Sequence, residues 1–171
     1  MIIRKTFRCR LEPNACQRRL FARFAGCCRF IFNHGLAARM EAYKQGGKTL
    51  SYADQCRDLT RLKKAGETAW LGEIHSQVLQ QSLKDLDSAY RHFFLRVKKG
   101  EKLGFPRFKK KGLKDSFRYP QGINVEDGKV LHSRPIEGEV LQATVKREGG
   151  HWFVSLPSPS LRIERLRSMS A

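Results

Sequence analysis

The sequence predicts an α+β fold: a small β-barrel built from both ends of the chain, with a block of helices inserted between its strands. Three observations carry that expectation. Residues 2–11 alternate apolar and basic side chains at a period of two, and alternation returns after residue 115. Between these stretches, residues 14–99 place apolar side chains every three or four positions. With 171 residues, 40% hydrophobic and 10% aromatic, there is material for at least one core. The boundaries drawn are 1–12 and 114–157 for the barrel, 13–100 for the helices, 101–113 for a basic connector and 158–171 for a disordered tail.

The first strand, IIRKTFRCRL, puts Ile3, Phe7, Cys9 and Leu11 on one face, broken only by Lys5, and Arg4, Thr6, Arg8 and Arg10 on the other. A face with three arginines suits an anionic partner, although a solvated outer face is the ordinary alternative. Pro13 ends the strand. Asn14 with Gln17 three residues on is a capping box that opens a helix through Leu20, Phe24, Cys27, Ile31 and Ala38 to Gly46-Gly47. Arg18, Arg19, Arg23, Arg29 and Arg39 are expected on its remaining surface. Ser51 with Asp54 opens a second helix over 52–65, burying Cys56, Leu59 and Leu62 and closed by Gly66. Trp70, Leu71 and Ile74 form a packed connector.

The third helix starts at Ser76, and Leu79, Leu83, Leu86, Tyr90, Phe93 and Val97 form its apolar stripe down to Lys99-Gly100. Its other face offers Gln77, Gln80, Gln81, Lys84, Ser88 and Arg91. A Gln amide can pair with N6 and N7 of adenine, and Lys84 and Arg91 lie further along to hold phosphates; each is equally an ordinary surface residue. Beyond residue 115, SFRY, INVEDGKVL with its Asp-Gly turn, VLQATVKR and HWFVSL read as strands. Glu148-Gly149-Gly150 joins the last two.

Charge narrows the function. There are 34 Lys+Arg against 16 Asp+Glu, a net of +18. Such an excess repels itself in the compact state and implies a polyanionic partner, nucleic acid or an anionic membrane. No apolar run approaches the ~20 residues that span a bilayer, and MIIRKTFRCRL has no apolar signal stretch. Nucleic acid is therefore expected, and five cysteines, an odd number unsuited to a disulfide framework, make a reducing cytoplasm the expected setting. Residues 91–118 hold eleven Lys/Arg against two acids, which is half of the whole excess in about a sixth of the chain. Within them GFPRFKKKGLKDSFRYP packs Arg107, Lys109, Lys110, Lys111, Lys114 and Arg118 among four aromatics. Phe105 and Phe108 are expected in the core, and Phe117 and Tyr119 in a strand. Lying between barrel and helices, this run would border the cleft where a polyanion rests. The five cysteines, Cys9, Cys16, Cys27, Cys28 and Cys56, lack C-x2-C spacing and read as small core residues. The histidines are scattered, and no metal or cofactor is expected in this chain.

In order along the chain, RLEPNACQ, GCCRFIFNHGLAAR, LSYADQCRDLTRLKK, WLGEIHSQVLQQSLKDLDSAYRHFF and KLGFPRFKKKGLKDSFRYP carry a family resemblance. The chain resembles the N-terminal half of TnpB (OrfB-type) transposon-encoded proteins, RNA-guided DNA endonucleases related to type V CRISPR effectors. The resemblance implies a wedge-type barrel with an inserted helical recognition lobe. It implies as partners a guide RNA from the transposon end and double-stranded DNA with a short motif beside the target. Carried over, it makes Tyr52, Ser76, Gln77, Gln80 and Gln81 the motif contacts, joined by Lys84, and makes Arg4, Arg8, Arg10 and the 107–118 cations RNA-backbone contacts. The family continues into a RuvC nuclease domain with three metal-holding carboxylates and a four-cysteine zinc ribbon, while here PSPSLRIERLRSMSA follows Leu156. The expectation is a truncated nucleic-acid-binding region with no catalysis of its own. Its alternatives are one half of a split enzyme whose nuclease part is a separate chain, or a general RNA-binding basic protein.

Overall fold

The computed structural model describes residues 2–3, 6–102, 104–121, 142–157 and 161–162. Strands β1 (Ile2–Ile3) and β2 (Thr6–Leu11) lead into three helices, α1 (Ala15–Gly46), α2 (Tyr52–Lys64) and α3 (Ser76–Lys98). A 3-10 segment, Gly66–Glu73, joins α2 to α3. Strands β3 (Ser116–Tyr119), β4 (Ala143–Glu148), β5 (His151–Pro157) and β6 (Leu161–Arg162) follow.

Both capping boxes form as the sequence predicts. Asn14 accepts from the Gln17 N–H at 2.9 Å while the Gln17 side chain takes the Asn14 N–H at 3.0 Å. Ser51 and Asp54 do the same at α2. Such reciprocal pairs satisfy two of the four N–H groups that a helix start leaves without partners. At the hairpin, Gly149 and Gly150 have φ of 54° and 82°. Two positive-φ residues in a row turn the chain with the twist that antiparallel strands need.

The sheet order is β2-β5-β4-β3, antiparallel throughout, and β1 pairs with β6 in a separate two-stranded sheet. Register explains its two faces. Cys9, Val154, Val145 and Phe117 stand opposite one another in a single inward row, all buried. One residue along, Arg8, Ser155, Thr144 and Arg118 form an outward row, followed by Arg10, Phe153, Lys146 and Ser116. Because side chains alternate, a one-residue slip would exchange these faces, so burial of the inner row fixes the register. Helix α1 covers the inner face: Phe21 lies 5.6 Å from Phe117 and 5.4 Å from Trp152, and Phe24 lies 5.3 Å from Phe117. Burying rings of this size gives about 1.5–3 kcal/mol each, which offsets the cost of bringing the chain's two ends together.

Among the described residues the sheet is open, with β2 and β3 at its edges. The expected strand around Asp127-Gly128, Arg4 and most of the predicted tail lie outside the described residues.

Helices α1 and α3 pack through Gly35. A methyl group there would lie 2.8 Å from Gln55 Nε2 and 3.0 and 3.1 Å from the Leu86 and Leu83 methyls. Several expected core positions lie elsewhere. Leu20 and Val97 are exposed, so the apolar stripes of α1 and α3 are not buried along their whole length. Cys16, in the first turn of α1, is also exposed, whereas Cys9, Cys27 and Cys28 are buried and Cys56 is half-buried. Arg29 and Arg39, expected on the surface, are instead drawn into ion pairs with Asp115 and Asp87, at 2.8 and 3.0 Å. No helix among the described residues is long and apolar enough to cross a membrane.

Candidate nucleic-acid interface

The connector is pinned to α1 at one point. Asn33 Nδ2 donates to the Lys109 carbonyl at 3.0 Å and Asn33 Oδ1 accepts from the Lys109 N–H at 2.8 Å. This amide clamp turns the Lys109 side chain inward, where Nζ lies 4.1 Å from the centre of the Phe32 ring. Burial pushes the Lys109 ammonium below its ordinary value, against the pull of Asp85 and Cys28. Lys109 therefore sits inside the run rather than on its outer surface. Arg118 is half-buried too, bonded to Thr144 Oγ1 at 3.2 Å and lying 3.5 Å from Asp85 of α3.

Its neighbours are different. Arg107, Lys110, Lys111 and Lys114 are all exposed, and none forms an ion pair with a described residue. The one acid in the run, Asp115, faces away from them to bind Arg29, a pair with only 11% of the Asp115 side chain exposed. Among the described residues, four cations are thus left without counter-ions on one short loop. Phe108, expected in the core, is exposed; Phe105 is 44% exposed but packs edge-on against Tyr90 and Phe93, and so holds the connector to the end of α3.

On α3, Ser76, Gln77, Gln80, Gln81 and Lys84 share the face opposite the buried stripe. Gln77 and Gln80 are half-buried, and their side chains make no hydrogen bond to a described residue. Ser76 Oγ accepts from Lys63 Nζ at 2.7 Å, and Gln81 Nε2 reaches Asp85 at 3.5 Å. Lys84 is exposed. Tyr52 lies apart from Ser76: its half-buried phenol feels Cys56 and Asp87, and is pushed up to about 12, first by burial. Asp87 is eleven residues past Ser76, roughly 16 Å along the helix at 1.5 Å per residue. The candidates thus form a row rather than one cluster. It is flanked by acids that are already committed, Asp85 to Arg118 and Asp87 to both Arg39 and Arg91.

The sheet's outer face carries Arg8, which pairs with Glu148 and lies 4.4 Å over the Phe153 ring. Arg10 sits 3.8 Å from Glu12. Lys146 and Phe153 belong to this face and are not among the residues that the sequence singles out. The signal was present: Trp152, Val154 and Leu156 point inward, which leaves Phe153 outward, opposite Arg10.

An open cleft of about 670 Å³ lies between the C-terminal ends of α1 and α3, lined by Tyr43, Tyr90, Phe93, Phe94 and Phe105 with Arg91 at its rim. It is chiefly aromatic. Among the described residues no three His, Cys, Asp or Glu side chains gather into a metal-holding group.

Comparison with known proteins bears on the whole surface. Residues 1–48 match the helix-turn-helix domain family HTH_OrfB_IS605. Over that span the described residues form β1, β2 and a single helix that runs unbroken from Ala15 to Gly46. The chain is 39% identical over 168 residues to InsQ of Escherichia coli (strain K12), described as a candidate RNA-guided DNA endonuclease; the match takes in 91% of this chain and 40% of InsQ. It is 32% identical over 170 residues to a protein of the same description from Streptomyces pristinaespiralis, with 90% of this chain and 41% of that protein covered. The chain thus spans about 40% of the length of these curated relatives.

Proposed function

Because the chain belongs to the TnpB (OrfB-type) family, we propose that these residues are the nucleic-acid-recognition part of an RNA-guided, transposon-associated DNA endonuclease. The sheet is read as part of a wedge-type barrel, and the helices as the recognition lobe. In this reading the outer face of the sheet, with Arg8 and Arg10, and the cations of the connector hold the backbone of a guide RNA. The α3 face holds duplex DNA, with Gln77 and Gln80, whose side chains bond no described residue, reading base edges and Lys84 placed for a phosphate. The spacing of the candidates along α3 fits a short motif. Ser76 and Asp87, whose charge Tyr52 feels, are roughly 16 Å apart along α3, about five base-pair steps at 3.4 Å, so Ser76 and Tyr52 are read as addressing different positions of it.

One observation carries the proposal: Arg107, Lys110, Lys111 and Lys114 lie exposed on one loop with no ion pair to a described residue, while the loop's only acid is bound to Arg29. A merely solvated face would keep its acid among its cations. A recognition role also fits the use of six described carboxylates: Asp54, Asp58, Asp85, Asp87, Asp115 and Glu148 are each paired with an arginine, lysine or histidine.

The test is to sequence the nucleic acid that copurifies with the chain. A dominant structured RNA transcribed from the end of the chain's own element is the expected result. A random pool of cellular RNA would overturn the guide-RNA reading in favour of general RNA binding.

A further inference from the structure

Glu148 stands at the end of β4 with cations on both of its oxygens. Lys146 Nζ bonds Oε1 at 2.5 Å, and the Arg8 guanidinium bonds Oε2. Arg8 is held from below as well, 4.4 Å over the Phe153 ring, so its fork is aimed and not free to wander. A phosphodiester likewise offers two non-bridging oxygens, which a pair of cations spaced to bind the two oxygens of one carboxylate can also hold. The three charged side chains are 37–52% exposed, open to a polymer from solvent. Along the same face stand the Thr144 and Ser155 hydroxyl positions, with Arg10 and Arg118 beyond them.

We propose that Arg8 and Lys146 form a phosphate site for RNA in which Glu148 is a built-in stand-in for the phosphate, displaced when the backbone docks. The proposal deepens the RNA-facing role given above to the sheet and rests on it. An internal carboxylate keeps two neighbouring cations from repelling each other before RNA arrives, and it sets a threshold. An isolated anion must compete with a tethered one, whereas an RNA that also grips the connector brings its phosphate to Arg8 and Lys146 at high effective concentration. Neither Lys146 nor Glu148 has been implicated by sequence motif, and Phe153 acquires a role as the floor that orients Arg8.

The 171-residue chain is titrated into a fluorescently labelled hairpin RNA and, separately, into duplex DNA of the same sequence, with anisotropy read over a salt series. Glu148→Gln should tighten RNA binding by about 3–10-fold, because two cations are released for phosphate. Glu67→Gln, the same charge change on the 3-10 segment, should change it by less than about twofold. Lys146→Ala should lower the slope of log K against log salt by about 0.7–0.9, the loss of one phosphate contact. Combined with Glu148→Gln, it should cancel most of the gain. A Glu148→Gln chain that binds RNA no better than Glu67→Gln overturns the proposal, as does a gain that survives without Lys146. A gain on duplex DNA equal to that on RNA overturns the assignment to RNA. If the unaltered chain binds RNA while Glu148→Gln changes nothing, only this inference falls; if the unaltered chain binds neither polymer, the proposed function falls and takes the inference with it.

Discussion

Neutralising the connector's outward cations gives the sharpest test of how this chain holds polynucleotide. The variant replaces Arg107, Lys110, Lys111 and Lys114 together with Gln, all four exposed and without an ion-pair partner among the described residues. Each phosphate neutralised by such a cation releases condensed counter-ions and adds about 0.7–0.9 to the slope of log K against log salt. Four lost contacts should therefore flatten the slope by roughly 2.8–3.6. Between ~50 and ~200 mM salt the affinity of the unaltered chain should then fall about 50–150-fold more than that of the variant. The matched control is Lys109→Met. Its ammonium faces Phe32 rather than solvent, and the Asn33 clamp holds the Lys109 backbone. That change should leave the slope within about 0.3 of the original while altering the melting temperature. Fluorescence anisotropy with a hairpin RNA at four or five salt concentrations reads both quantities. A fourfold variant whose slope falls by less than about 1, or a Lys109→Met chain that loses as much slope as one outward cation, would refute the division of this run into inner and outer charges.

Other expectations follow from the packing. Gly35→Ala should destabilise by about 1–3 kcal/mol through overpacking against Gln55, Leu83 and Leu86, less the ~0.5–1 kcal/mol that Ala gains over Gly in a helix. Gly26→Ala on the same helix meets nothing closer than 3.8 Å and should raise stability by that helix term alone; thermal melts showing the same sign for both would contradict the close α1–α3 approach. Asn33→Ala should speed tryptic cleavage within Lys109–Lys111, since both clamp bonds to the connector are lost; unchanged cleavage would mean the loop is held in some other way. For Asp87, burial pushes the carboxyl up, but the bonds from Arg39 and Arg91 outweigh it and leave it below the ordinary 3.8. A depressed carboxyl stabilises fully above its unfolded value and loses that contribution as pH falls through the folded one. Asp87→Asn should therefore lose less stability than the original chain as urea midpoints are followed from about pH 4 down to about pH 2.

Much of this architecture was legible in one dimension. Asn14 with Gln17, Ser51 with Asp54 and the stripe Leu79, Leu83 and Leu86 are interactions between residues three or four apart, so the helix starts and buried faces are written locally. The outward Thr6, Arg8 and Arg10 and the hairpin at Gly149-Gly150 follow from the period-two pleat and from turn chemistry in the same way. The family likewise came from ordered local matches. What local pattern leaves open is the fate of each charge. Six cations between 107 and 118 look alike in sequence, yet Lys109 and Arg118 are drawn inward while four stay out. Asp115 is claimed by Arg29, eighty-six positions away, and Arg8 meets Glu148 across 140. Strand order has the same character, since β2 pairs with β5 from the far end of the chain. Sequence by itself determined which segments form helices and strands and which faces they bury, because those choices are settled within a few residues by sterics, caps and apolar spacing. Only the tertiary structure decided which basic side chains remain available to a polyanion, because that depends on which of them lose water or gain a carboxylate when distant segments meet.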